Sequence, residues 1–320
     1  MLLRIPAVFL LAMISTSMAT HAQDFPVKPL RIIVPTGPGT AADLTTRRLT
    51  PPLAAAFGQP VIVDNRTGAA GLIAAQEAAR SLPNGYTLYV ATMTDVLREF
   101  TPNASYSISK NFSPVTLLVL SSYVVVVHPS VPANSLRELI GLAKARPGFI
   151  THASTGPGGA ATLAVALFKS AAGIDMLEVP YRSFGAEVPD LISGQVMLSY
   201  QAIAVVQQHV RSGKLKALAV TQARRNSILS LVPTMAESGL PGAEATTFSG
   251  IVVAAGTPSP VIRMLHQQIA HALNVPDFKD YAAANGIFIG GESPEVFAAF
   301  LAAESAKWGK LINATGIRME

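Results

Sequence analysis

Two glycine-rich stretches repeat one pattern: Thr36-Gly37-Pro38-Gly39-Thr40-Ala41-Ala42-Asp43-Leu44 and Thr155-Gly156-Pro157-Gly158-Gly159-Ala160-Ala161-Thr162-Leu163. Each follows a β-type run, Leu30 to Val34 and Phe149 to Ser154, and opens an Ala/Leu-rich stretch that favours helix, so each reads as a strand-to-helix turn. The first amides of a helix have no intrahelical acceptor, and the helix dipole gathers partial positive charge among them. Such a turn binds an anion without a basic side chain, and glycine lets the ligand approach the main chain. One turn alone reads equally well as a plain αβ connection. The second copy favours two lobes offering similar surfaces to one ligand. The candidate contacts are Thr36, Gly39, Thr40, Ala41, Ala42 and Asp43 in the first turn, and Ser154, Thr155 and Gly158 in the second.

Other residues join them by position. Thr92 and Thr94 follow the run Tyr86 to Ala91 at its carboxyl end, where open α/β sheets bind ligands, and their hydroxyls can donate to a carboxylate. Asp43 has a competing role, because a carboxylate near a helix N-terminus is favourable by about 0.3–1 kcal/mol with no ligand at all. Ser154 and Thr155 suit a helix cap as well as a ligand contact. Tyr181 is a candidate contact, and its neighbour Arg182 is either a bidentate carboxylate partner or an exposed loop arginine. His266 and His271 are five apart, not the four that places two zinc ligands on one helix face, so neither a metal nor a cofactor is expected.

The elements that must position these groups alternate in type. Leu30 to Val34, Val61 to Val63, Tyr86 to Ala91 and Tyr123 to Val127 read as strands; Ala41 to Phe57, Leu72 to Ser81 and Ser135 to Arg146 read as helices. This alternation predicts α/β architecture with mostly parallel sheets flanked by helices. Pro51-Pro52 is expected to kink or break the first long helix, and Ser135 with Glu138 is a capping-box signature. Tyr123 to Val127 and Lys216 to Thr221 read as strands leaving one sheet for another. The expected organisation is a signal peptide over 1–22, a first lobe from 23–125 and 221–320, and a second lobe over 126–220. A two-stranded hinge would let such lobes close on a ligand.

Composition sets the compartment. Met1 to Arg4 is a short basic start, Ile5 to Ile14 an apolar core, and Thr20-His21-Ala22 a small-x-small cleavage site, which together read as a secretory leader. The chain has 320 residues, no cysteine, half of its residues hydrophobic, and a formal charge of +5. Two domains held by packing without disulfides are expected of that length. The mild positive charge attracts anions, but Lys and Arg form no cluster with aromatic residues, which argues against nucleic acid.

The succession of motifs resembles a known family. Pro26 to Pro35 with Asp43 and Arg47, Gly58 to Gly71, Pro83 to Leu88, Ala153 to Gly156, Val179 to Arg182, Asp190 to Val196, Gly213 to Thr221, Val232 to Glu237 and Ala255 to Pro258, then Trp308 before Gly316-Ile317, are similar in order to the Bug receptors. These are the extracytoplasmic solute receptors of tripartite tricarboxylate transporters, also called TctC-like. The resemblance implies a two-lobed periplasmic-binding-protein fold of the Venus flytrap type. It also implies a periplasmic monomer that holds a small carboxylate and delivers it to membrane permease subunits, or presents it to a sensor kinase. Departures bear on the ligand: Thr36 stands where the family has an aromatic residue, Thr40 where it has a second glycine, and Tyr200-Gln201 where many relatives carry Phe-Asp. Gln201 thereby joins the candidate contacts. Loss of the Asp carboxylate disfavours a ligand ammonium, and so an amino acid relative to a plain carboxylate.

Enzyme readings fare worse. Gly37 to Ala42 satisfies the dinucleotide pattern G-x-G-x-x-A after a strand, with Asp64 placed where a ribose-binding acid belongs. Against it stand the leader, the second turn and the lack of a convincing catalytic His or Tyr-Lys pair. Ser107-Ile108-Ser109-Lys110 satisfies S-x-x-K without its companion motifs, and neither turn has the lysine of a P-loop.

Overall fold

The computed structural model describes residues 25–101, 105–154, 159–181 and 186–316. Among them ten strands form: β1 Leu30–Val34, β2 Val61–Asn65, β3 Thr87–Thr92, β4 Phe112–Val127, β5 Thr151–Ser154, β6 Leu177–Pro180, β7 Leu198–Ala202, β8 Lys216–Val220, β9 Thr246–Ala254 and β10 Phe288–Ile289. Their order is β2-β1-β3-β9-β4-β7-β5-β6, with β8 and β10 also paired to β4. The fold is two-lobed α/β. Parallel pairing covers β1 with β2 and β3 in one lobe, and β5 with β6 and β7 in the other. Each sheet is nevertheless mixed, because β9 and β4 run antiparallel to their neighbours.

The strand β4 joins the lobes. Its residues Phe112 to Ser122 pair with β9, and Tyr123 to Val127 pair with β7 and β8. The sequence shows only the last third of this strand, since Ser113, Pro114, Thr116, Ser121 and Ser122 interrupt its apolar run. Register shifts at Pro114/Thr116 and Leu117/Val119 absorb the irregularity. The return path differs from expectation. β8 stays paired with the Val124 to Val127 part of β4, and residues 221–245 loop back alongside it through Val220 N–H to Pro233 O (2.8 Å) and Met235 N–H to Val220 O (3.1 Å). Thr221 ties the junction: its Oγ1 accepts from Tyr123 N at 2.9 Å and its carbonyl accepts from Ala245 N at 2.9 Å, immediately before β9 opens.

Helix Ala41–Phe57 carries Pro51 and Pro52 without breaking. The carbonyl of Arg47, which would have received the N–H of residue 51, instead accepts from the Thr50 hydroxyl at 2.9 Å. Helix Leu136–Ala145 is capped by Ser135, which accepts from Glu138 N; the Glu138 carboxylate reaches Asn134 N at 2.7 Å. Phe297, Leu301 and Trp308 of helix Pro294–Thr315 are buried, and the Trp308 Nε1–H donates to Glu304 at 2.9 Å. One apolar cluster containing Tyr89, Tyr123, Phe168, Tyr200 and Trp308 runs through both lobes, and a separate cluster lies in each.

Candidate functional site

The first glycine-rich turn connects β1 to helix Ala41–Phe57 with Gly39 at φ +82°, a conformation that suits glycine. Thr40 is the N-cap. Its hydroxyl accepts from Asp43 N (3.4 Å), lies 2.6 Å from the Thr36 hydroxyl and donates to Gly37 O (2.9 Å). Asp43, expected to be a possible ligand contact, has its carboxylate turned into the protein. It is 1% exposed and accepts from Gly39 N (2.9 Å), Asn65 Nδ2 (2.8 Å) and Arg47 Nε (2.9 and 3.0 Å). Burial opposes its ionisation, but the Arg47 guanidinium and these donors outweigh burial and hold the carboxyl below its ordinary range. The Gly39 amide is thus occupied from within. What the turn leaves open is the pair of amides at Ala41 and Ala42, the first two helical positions, which have no main-chain or side-chain acceptor among the described residues.

These amides front a cavity of about 260 Å³ lined by Thr36, Thr40, Ala41, Ala42, Thr92 and Thr94, six of the expected site residues. Thr45, Ser121, Thr247 and Ser249 complete its polar wall. Thr36, Thr92 and Thr94 also line an adjoining space of about 350 Å³ with Thr67, Gly68, Ala70 and Gly71. The two threonines at the end of β3 differ in what they offer. Thr92 donates its hydroxyl (3.1 Å) and its amide (2.7 Å) to Asp95, whereas the Thr94 hydroxyl lines the same cavity without a partner among the described residues. Asp95 also accepts from Tyr89 and Tyr106, and burial raises its carboxyl above the ordinary range. Among the described residues no Lys or Arg lines either cavity.

The segment Thr67 to Gly71 was quoted above only for its likeness to relatives, yet it forms a third glycine-rich turn, after β2. Ala69 and Ala70 sit at φ +46° and +50°, left-handed backbone that is costly for alanine. The Arg98 guanidinium holds both carbonyls, at 2.9 and 3.3 Å. The signal in the sequence is Gly68-Ala69-Ala70-Gly71 soon after the strand-like run Val61 to Val63 and ahead of a helix-like stretch, similar to the signal that marked the other two turns.

The second lobe places its candidates differently. Ser154 ends β5, is 3% exposed and lies 3.1 Å from the Thr162 hydroxyl across the turn. Tyr181 follows β6; its hydroxyl donates to Asp190 at 2.9 Å, and burial together with that carboxylate pushes the phenol up to about 12. Gln201 is fully buried on β7 and bonds to Glu187 and Ser199. Thr155, Gly158, Arg182 and the leader lie outside the described residues. Asp64, the acid that a dinucleotide site would turn to a ribose, is bonded to Arg31 (2.8 Å) and Arg66 (3.2 Å). Among the described residues no group of His, Asp and Glu could hold a metal ion, and no helix is long and apolar enough to cross a membrane.

The chain and its fold are similar to known proteins. The profile of the tripartite tricarboxylate transporter family receptors, TctC, matches residues 45–317. Protein BugT of Bordetella pertussis is 32% identical over 321 residues, covering 97% of this chain and 98% of BugT. A Rhodopseudomonas palustris protein solved with adipate superposes with a TM-score of 0.78 at 29% identity, over 93% of this chain and 100% of its own. MatC from Rhodopseudomonas palustris, solved with bound malate, gives 0.74 at 26% identity, over 90% of this chain and 100% of its own. Since the family profile spans most of the chain and BugT aligns along nearly its whole length, the chain belongs to the tripartite tricarboxylate transporter family receptors.

Proposed function

We propose that this protein is a periplasmic receptor that binds one small carboxylate between its lobes, without catalysing a reaction, and delivers it to the membrane subunits of a tripartite transporter. The observation that carries the reading is the open amide pair at Ala41 and Ala42, facing a polar cavity at the carboxyl ends of β1 and β3 with no basic side chain among the described residues of its walls. An anion held there takes two N–H donors and the field of a helix N-terminus. Thr94 adds a hydroxyl, and Thr36 and Thr40 can rotate theirs toward a ligand. Adipate and malate in the two structural relatives are anions of the size such a cavity admits.

Closure on the ligand would swing the lobes about Ser122–Tyr123 and Thr221–Thr246, where β4 changes partners and the chain returns. The test is a thermal-shift and calorimetric screen of mono-, di- and tricarboxylates. A ligand at a hundred times its dissociation constant raises stability by about 2.7 kcal/mol, which a melting scan resolves. Small-angle scattering on the best ligand should show a smaller radius of gyration. NADH turnover, or no carboxylate binding at all, would overturn the proposal.

A further inference from the structure

The second lobe holds a buried acid that the amide grip does not use. Glu187 caps helix Val188–Ser193 and is 3% exposed, and Gln201 on β7 is 0% exposed. The Gln201 amide nitrogen donates to Glu187 Oε1 and, at 2.9 Å, to the Ser199 hydroxyl, which in turn donates to the same Oε1 at 3.2 Å. Every donor among the three side chains is thereby turned to an acceptor within the cluster. Two acceptors are left over: Glu187 Oε2 and Gln201 Oε1 are shielded from solvent and have no partner. Buried polar oxygens are almost always satisfied, and one belonging to a carboxylate most needs to be.

The position of this pair suits a ligand. β7 is parallel to β5, so Gln201 lies toward the same carboxyl edge as Ser154 and Tyr181, the edge at which open α/β sheets take ligands. Its neighbour Ala202 pairs with Tyr123, the first residue of β4 on the second-lobe side. Beside the junction residues Tyr123 and Thr221, the Ser122 hydroxyl and the whole side-chain amide of Gln222 are also buried without partners among the described residues.

We propose that Glu187, held in place by Gln201 and Ser199, receives an ammonium group of the ligand, so that the solute is an amino-bearing carboxylate. An ammonium brings several N–H donors and a positive charge to two vacant acceptors, one of them anionic; a hydroxyl brings one donor and no charge. The inference rests on the reading of the chain as a carboxylate receptor. It reverses the expectation drawn from Tyr200-Gln201, because the acid missing from β7 is supplied by the helix facing it.

The test compares matched ligands by calorimetry on the mature protein: aspartate against succinate and malate, glutamate against glutarate. A site built to hydrogen-bond one group discriminates strongly against analogues that lack it, so at least one amino member should bind more than about tenfold tighter than its plain partner. Glu187→Gln, which preserves shape, should erase that preference while the unliganded melting temperature is kept. Should that variant not fold, Glu187→Ala and the wild-type comparison decide. Plain or hydroxy acids binding as well as the amino acids, or a folded Glu187→Gln protein that keeps its preference, would overturn this proposal and leave the carboxylate reading standing. Failure of every acid of the wider carboxylate screen to bind would remove both.

Discussion

Replacing Asp43 by alanine separates a residue that shapes the anion grip from one that touches the anion. The carboxylate is buried and accepts from the Gly39 amide, the Asn65 amide and the Arg47 guanidinium. A hydrogen bond to a charged group contributes about 1.5–3 kcal/mol, but Gly39 and Arg47 are exposed enough to rebond to water, so the expected loss is roughly 2–4 kcal/mol in total. Arg47→Ala should cost less than Asp43→Ala, since its guanidinium is half-exposed and two donors stay on the buried acid. Urea denaturation of both variants measures the difference. The folded Asp43 titrates below its ordinary 3.8, so its contribution is complete above that value and fades as pH falls through the lower one. The gap between wild type and Asp43→Ala should close accordingly in strong acid. Carboxylate affinity should fall together with stability, because the turn presenting Ala41 and Ala42 loosens. A variant as stable as wild type that no longer binds would show Asp43 to be a ligand contact and refute this assignment.

Three further outcomes follow from other parts of the fold. Thr40→Ala removes the N-cap and should destabilise by about 1 kcal/mol in chemical denaturation, with Thr40→Ser recovering most of it. Thr221→Val keeps the shape of the junction but strips the acceptor from the Tyr123 N–H, costing about 1–3 kcal/mol by the same measurement, while Thr221→Ser should behave as wild type. His152 is 2% exposed, and burial depresses its imidazole below the ordinary 6.5, so stability is complete above that value and declines as pH falls toward the lower one. A melting-temperature profile from pH 8 to 5 should be flatter in His152→Gln than in wild type, and parallel profiles would count against the buried-neutral state.

The first lobe was the more legible in sequence. β1 and helix Ala41–Phe57 have the bounds that their apolar run and Ala-rich pattern suggest, because local preference and burial agree there. β9 was not anticipated: Thr246-Thr247-Phe248-Ser249-Gly250 reads as a loop. Gly250 is there for packing, since a Cβ would come within 2.2 Å of the Phe297 ring. At the site, Ala41, Ala42 and Thr94 could be read because they follow strand ends. Thr40 and Asp43 also follow one, but the spacing that suggests a ligand contact equally describes a cap, and the structure shows Thr40 as the N-cap and the Asp43 carboxylate bonded within the turn. Glu187 carried no signal. Its meaning depends on Gln201, which a turn of sheet and a helix bring to it from fourteen positions away.

The place of β9 has a consequence for how the chain is made. It is among the last strands synthesised, yet it sits in the middle of the sheet, between β3 and β4. Until Thr246–Ala254 emerges, both neighbours present bare inner edges, and the faces that Phe297 and Trp308 later cover stay open. The N-terminal half therefore cannot close its own core ahead of the C-terminal segment, and such long-range pairing is slow to form. In a nascent chain of this design the second lobe has all its strands before β9 is made, whereas the first lobe must wait for it.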